Sequence, residues 1–229
     1  MLTKNDFTNF DSVAIWEPQN SVNNFDNLND EEKVKCFKTK NTVKKLDGSS
    51  IKTMIHGMKK DRIIVGKNPG DKGKDIDNHT LLAFHIQGKS NDASLAAALY
   101  NTNFWGAFMT DLNHEYNSNS SNVKAKILDV EHLFDRLKQL NITTNNNDDI
   151  KFIAIGNDAF NTFKDYFNEL KNHNHNNKIN VISDRQFEFN DNNNHYLITR
   201  IPDYSGNNQG PRENDWNLTK VNKIIKSIK

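Results

Sequence analysis

The stretch Lys151-Phe152-Ile153-Ala154-Ile155-Gly156, with the helical pattern that follows it, decides the fold. Four apolar residues run without alternation and stop at a glycine, which suits a short strand buried on both faces, as in parallel sheets. Phe160, Phe163, Phe167 and Leu170 then recur at spacings of three and four, the face of an amphipathic helix. A buried strand that passes through glycine into such a helix is half of a strand–helix–strand unit.

The same alternation extends outward in both directions. Upstream, Val123 to Leu140 places Ile127, Val130, Leu133, Phe134, Leu137 and Leu140 on one helical face. Before it lie an apolar segment, Gly106 to Thr110, an Ala- and Leu-rich helical stretch, Asp92 to Tyr100, and a β-branched run, Arg62-Ile63-Ile64-Val65-Gly66. Downstream, Tyr196-Leu197-Ile198-Thr199 is the last clear strand. Asp215 to Ile228 closes the chain as a helix with Trp216, Val221, Ile224, Ile225 and Ile228 as its apolar set. Strands alternating with helices predict an α/β domain with a central, mainly parallel sheet flanked by helices. The predicted division is an N-terminal extension, residues 1–60, packed on an α/β core, residues 61–229. In the extension, Ser12 to Trp16 fits a short strand ended by Pro18, and Asn29-Asp30-Glu31-Glu32 fits a helix start with acidic residues in its first turn.

Bulk composition excludes several classes. At 229 residues the chain has the length of one large domain. Lys and Arg total 30 against 29 Asp and Glu, so no global field draws the protein to nucleic acid or an anionic membrane. Polyanion binding must come from a local patch, for which Lys67, Lys72, Lys74, Arg200, Arg212 and Lys220 are candidates. The single cysteine, Cys36, makes no internal disulfide and does not by itself hold a zinc or an iron–sulfur cluster. No apolar run approaches the roughly 20 residues of a membrane helix, and Met1 to Asp6 lacks a signal-peptide core. A cytoplasmic protein, monomeric by default and without membrane partners, is the expectation. Asn-rich stretches (Asn145 to Asn147, Asn172 to Asn177, Asn192 to Asn194) read as solvated loops, and His173 and His175 fall within one of them.

In open parallel sheets, ligands bind beyond the carboxyl ends of the strands, so four strand-end loops carry the candidate chemistry. Gly66-Lys67-Asn68-Pro69-Gly70 combines two glycines, which permit tight turning and close approach, with a proline that stiffens the turn bearing Asn68; it is equally a plain turn composition. In Met109-Thr110-Asp111-Leu112, Asp111 serves either a ligand or, as the local sequence favours, the cap of the next element. Gly156-Asn157-Asp158-Ala159 offers a helix N-terminus to a phosphate, or Asn157 or Asp158 as its cap. Thr199 to Asn208 is polar, with Arg200 and Ser205 suited to phosphate oxygens.

Taken in order, the four loops resemble the uracil-DNA glycosylase superfamily, and Gly66-Lys67-Asn68-Pro69-Gly70 resembles the Gly-x-Asn-Pro-Gly motif of its mismatch-specific branch. Phe108 to Leu112 is similar to the segment where a strand ends in Thr-Asn, Ile153 to Ala159 to the strand–Gly-x-x-Ala–helix segment, and Ile201-Pro202-Asp203-Tyr204-Ser205 to the second catalytic motif, commonly His-Pro-Ser or Asn-Pro-Ser. The resemblance spans about residues 60–210. It implies a three-layer fold and hydrolysis of the N-glycosidic bond of uracil or a related damaged base in single- or double-stranded DNA. The base would be flipped from the stack, and no cofactor or metal would be needed.

By the same resemblance Asn68 is the catalytic residue, aiming a water at the sugar carbon. Gly66, Pro69, Gly70, Phe84 and Asp111 contact the base, with Phe84 placed to stack on it. Arg200, Pro202, Tyr204, Ser205 and Asn207 hold the DNA; Tyr204, Asn207 or Asn208 fills the gap left by the flipped base. Two departures stand out. Ile201 occupies the position of a His or Asn and cannot stabilise a leaving anion, with His85 and His195 as substitutes by position. Asp111 replaces an Asn, and an ionised Asp accepts hydrogen bonds but donates none. The cysteines of an iron–sulfur branch are missing. A superfamily member that binds nucleic acid or protein without catalysis is the alternative these departures favour; an unrelated nucleotide-metabolising α/β enzyme is the third.

Overall fold

A computed structural model describes residues 2–16, 18, 24–37, 48–69, 81, 84, 92–117, 122–142, 149–174, 176–191, 194–204 and 216–229. Among these residues seven strands form one mixed sheet in the order β1-β3-β2-β4-β7-β6-β5. They are β1 (Ser12–Val13), β2 (Lys59–Gly66), β3 (Ala107–Asp111), β4 (Asp149–Ile155), β5 (Lys178–Ser183), β6 (Gln186–Asn190) and β7 (His195–Ile201). The four central strands, β3, β2, β4 and β7, run parallel; β1 at one edge and the β5–β6 hairpin at the other are antiparallel. The helices are α1 (Asp30–Lys35), α2 (Gly48–His56), α3 (Asp92–Leu99), α4 (Ile127–Gln139), α5 (Gly156–His173) and α6 (Leu218–Ser227). The result is the single α/β domain expected from the alternation of strands and helices.

Side-chain alternation along the strands sorts the core into two layers. On one face Ile63 and Val65, Phe108, Phe152 and Ala154, and Ile198 pack against α2, α4 and α5 through Ile51, Met54, Val130, Leu137, Phe163 and Phe167. On the other, Ile64, Met109, Ile153, Ile155, Leu197 and Ile201 pack against α3 and α6, and Phe25, Cys36 and Phe37 around α1 complete that layer. Both faces are covered, so the central strands read as continuous apolar runs. α3 is buried along Leu95 to Leu99, which explains why its sequence is apolar all round. The first sixty residues supply Phe7, Val13, Ile51, Met54 and Met58 to the first layer.

Several element ends have local causes. The Asn29 side chain accepts from Glu32 N and the Glu32 carboxylate accepts from Asn29 N, a capping box that starts α1 where the acidic run implied. α4 begins later than the periodicity suggested, because the Asp129 carboxylate accepts from Lys126 N at 2.7 Å. It stops where Asn141 takes a left-handed conformation and Ile142 N bonds back to Leu137 O. Neither Asn157 nor Asp158 caps α5: the helix starts at Gly156, whose φ of +82° turns the chain from β4 directly into it, and both polar residues lie in the first turn. β3 continues through Asp111, so Asp111 is a strand residue rather than a cap.

The layers fix where a ligand would enter. Loops after β3 and β4 lead to α4 and α5 on one face; those after β2 and β7 lead to α3 and α6 on the other. β2 lies between β3 and β4. Its carboxyl end is therefore flanked by loops that depart to the opposite face, the arrangement that opens a crevice in doubly wound sheets. The β5–β6 turn falls at the same edge, because Gln186 pairs with Thr199 near the end of β7.

Candidate functional site

Gly66 ends β2 and stands in register with Asp111, the last residue of β3. Both side-chain positions face the α3–α6 layer, the parity set by Ile64 and Met109. A Cβ built at residue 66 would overlap Asp111 Oδ1 and meet Phe84 Cε1 at 3.3 Å. Only glycine leaves the space into which the Asp111 carboxyl projects, beside the Phe84 ring. Phe84 holds a left-handed backbone, φ +63°, costly for a bulky residue and typical of segments fixed by their surroundings. Across β3, Ser12 Oγ donates to Leu81 O at 3.0 Å and ties Leu81 to β1.

Beyond Gly66 the two parallel strands stay joined. Leu112 N donates to Gly66 O, Asn113 N to Lys67 O and Asn117 N to Pro69 O, at 2.9 to 3.1 Å. Asn68 is clamped between them: its Nδ2 donates to Pro69 O at 3.0 Å and to Asn117 O at 2.9 Å, with Glu115 O at 3.4 Å. Its Oδ1 is buried and has no hydrogen-bond partner among the described residues. The amide is thus oriented by its donor end, and its acceptor end is left unmatched, a cost of about 1–3 kcal/mol unless a donor arrives. The segment that completes this clamp is held from the other side by Phe10, whose ring stacks on His114 at 4.0 Å.

Asp111 is 6% exposed. Burial first, and then the charges of Asp203 and Asp92, push its carboxyl well above the usual 3.8, toward the protonated form. This changes the chemistry expected of an ionised Asp at the strand end, because a protonated carboxyl donates one hydrogen bond and accepts others, as an amide does. Asp92 is the first residue of α3 and Asp203 follows β7. The Tyr204 hydroxyl donates to Asp92 Oδ1 at 3.3 Å, and its ring packs on Trp216. Burial and these carboxylates raise the Tyr204 phenol well above 10.0. Neither Asp92 nor Asp203 is singled out by the sequence: Asp92 opens an Ala- and Leu-rich helical stretch, and Asp203 sits within Ile201-Pro202-Asp203-Tyr204-Ser205.

The remaining candidates separate. Pro69 and Pro202 are half-buried in the loops after β2 and β7. Arg200 reaches toward the β5–β6 turn, 3.8 Å from Asp184, and Lys67 pairs with Asp158 of α5 at 2.5 Å. Two of the six basic candidates thus lie at the carboxyl edge and already face carboxylates. Ile201 is buried in the α3–α6 layer. His195 begins β7, at the opposite edge of the sheet, where its Nδ1 lies 2.8 Å from Asp149 and its Nε2 3.7 Å from Glu188; it is no substitute for the missing His or Asn. Gly70, Lys72, Lys74, His85, Ser205, Asn207, Asn208 and Arg212 lie outside the described residues, as does His175.

The chain matches no protein-family model, no curated protein and no solved structure. Among the described residues no group of His, Cys, Asp and Glu has the makings of a metal site, and no helix is long and apolar enough to cross a membrane.

Proposed function

We propose that this chain is a DNA glycosylase that hydrolyses the N-glycosidic bond of uracil or a related base. The observation that carries the proposal is the Asn68 amide, whose donor end is fixed on backbone carbonyls and whose buried acceptor lacks a partner among the described residues. A neutral amide held in this way is suited to receive a water's hydrogen bond and to aim the water's lone pair. It supplies rate by positioning rather than basicity.

The steps follow from the residues gathered at the carboxyl edge. A nucleotide flipped from the stack enters beside Phe84, whose Cε1 lies 3.3 Å from where a Cβ at residue 66 would stand. Asp111 meets the edge of the base. The bond between the sugar carbon and the base nitrogen breaks, and its electron pair leaves with the base. The water held by Asn68 bonds to the sugar carbon, and its surplus proton passes to solvent or to the departing base. Because Ile201 is in the core, the leaving anion gains nothing at that position. The same fact favours a second function, binding of nucleic acid without cleavage.

A base-release assay separates the two. Labelled single- and double-stranded DNA with one uracil is incubated with the protein and treated with alkali to cut abasic sites. Strand cutting that Asn68→Ala loses supports glycosylase action. No cutting on uracil or on a panel of other lesions overturns it and leaves binding.

A further inference from the structure

Residues 113–117, which carry the carbonyls that hold the Asn68 amide, belong to no helix or strand. Their conformation depends on what they meet on either side. Toward the loop after β2 they meet backbone and the amide. Asn113 N donates to Lys67 O and Asn117 N to Pro69 O, while Glu115 O and Asn117 O face Asn68 Nδ2. Toward the N-terminus they meet one ring. Phe10 lies flat on His114, with centroids 4.0 Å and planes 14° apart, and is tilted against Tyr116 at 5.3 Å. The two sets alternate: the side chains of residues 114 and 116 meet Phe10, and the carbonyls of residues 115 and 117 meet Asn68.

Phe10 is itself held in place. Its N–H donates to Thr8 Oγ1 at 3.3 Å, and Thr8 N donates to Asp11 Oδ2 at 2.7 Å. Asp11 is tied in turn to Arg136 of α4 and Thr110 of β3. Phe7 is buried in the same layer as α4 and α5. His114 is oriented from its own side, because its ring donates to Asp111 O at the end of β3. A ring anchored to the core thus rests on a segment without secondary structure of its own. Without that stack, the hydrogen bonds of residues 113–117 to the loop after β2 would join it only to the loop that Asn68 itself belongs to. Clamp and clamped group could then move together.

We propose that Phe10 and His114 are positioning residues: the N-terminal segment from Phe7 to Asp11 is a strap that sets the Asn68 amide through residues 113–117. Each ring acts through the carbonyls of Glu115 and Asn117. The stack refers those carbonyls to α4 and β3, and the acceptor end of the amide then keeps one direction. This deepens the function proposed above and rests on it for the water that Asn68 aims; the strap itself needs no catalysis.

The test uses the full chain, isotope-labelled, and follows the Asn68 side-chain amide protons and the Asn117 N–H by NMR. Phe10→Leu removes the flat ring and keeps an apolar side chain; Phe10→Tyr keeps the ring. His114→Ala removes the other half of the stack at an exposed position and serves should Phe10→Leu not fold. Phe189→Leu, in the core of β6, controls for a plain loss of stability, ranked by urea denaturation. In Phe10→Leu and His114→Ala the Asn68 amide protons are expected to shift toward the positions of a free side-chain amide, with faster exchange at Asn117. Phe10→Tyr is expected to keep the wild-type signals, and so is Phe189→Leu. In the base-release assay, kcat of Phe10→Leu is expected to fall about tenfold or more with KM nearly unchanged, and Phe10→Tyr to restore it. Asn68 signals that ignore the loss of the stack, or that move equally in Phe189→Leu, overturn the proposal, as does a wild-type rate of base release in Phe10→Leu. Signals that follow the stack in a protein that releases no base keep the strap and remove the glycosylase function. Base release by wild type with signals indifferent to the stack does the reverse.

Discussion

Asp111 Oδ1 stands in the space that any side chain at residue 66 would need, although the two residues belong to different strands and are brought together by the register of β2 and β3. The glycine is a packing requirement of the carboxyl. Its backbone is that of an ordinary strand and calls for no left-handed turn. Gly66→Ala is therefore expected to lower stability by about 1–3 kcal/mol through overpacking. Removing the carboxyl as well, in Gly66→Ala/Asp111→Ala, should recover part of that loss. Urea denaturation of the two single variants and the double variant gives the coupling; strict additivity would contradict the relationship.

Asp111 also sets a pH dependence of stability whose sign is fixed. Its folded pKa lies well above 3.8, with burial as the largest cause and Asp203 and Asp92 next. Below 3.8 the group is protonated whether the chain is folded or not. As pH rises past that value the unfolded chain releases its proton while the folded chain retains it, so the folded state binds more protons and stability falls with pH. The fall ends once pH passes the folded pKa. Asp111→Asn has no such proton to hold. Its urea midpoint, compared with wild type, is expected to gain steadily across this window and then level off. A constant difference at all pH values would show an unperturbed carboxyl.

The legible parts of this fold are those whose signal is local. β2 and β4 are buried on both faces, so Ile63-Ile64-Val65 and Phe152 to Ile155 identify themselves, and Gly156 marks the turn into α5. The β5–β6 hairpin escapes because β5 is an edge strand with Val181 and Ile182 exposed, and because its turn, Asp184-Arg185, contains no glycine. The alternation of buried Phe187 and Phe189 was the available clue. At the site, Gly66 and Asn68 are visible as a glycine- and proline-bounded turn. What surrounds Asp111 is not, since register and crossover bring Gly66, Asp92 and Asp203 to it from three distant stretches. Local sequence favoured a cap at Asp111 because it does not reveal that β3 runs one residue further.

Asn68 gives a prediction in which an apparently conservative change is the harmful one. Its Nδ2 donates to the backbone carbonyls of Pro69 and Asn117. Asn68→Asp places a carboxylate oxygen against those carbonyls, exchanging attraction for repulsion. Asn68→Ala only removes the bonds, at about 0.5–1.5 kcal/mol each, and leaves Pro69 O its bond from Asn117 N. Amide hydrogen exchange at Asn117, whose N–H bonds to Pro69 O, should therefore quicken more in Asn68→Asp than in Asn68→Ala. The opposite order would mean that the amide is not held by its donor end.

The final prediction concerns the pair that anchors the N-terminal segment behind this clamp. Asp11 is 1% exposed; it takes the Arg136 guanidinium from α4 at 2.7 Å and the Thr110 hydroxyl from β3 at 3.1 Å. Arg136 also donates to Asp6 O. Removing the cation from a buried carboxylate costs up to about 3–5 kcal/mol, less here because Arg136 is partly exposed and Asp11 keeps its bonds from Thr110 and Thr8 N. Arg136→Met, which keeps most of the side-chain volume, should lose about 1–3 kcal/mol by urea denaturation. The change should also reach the site, because Phe10, next to Asp11, stacks on His114 in the segment that carries Glu115 and Asn117. Faster exchange at Asn117 in Arg136→Met, under conditions where the chain remains folded, is the expected sign of that link. Unchanged exchange beside a full loss of stability would confine the pair to holding the N-terminal segment in place.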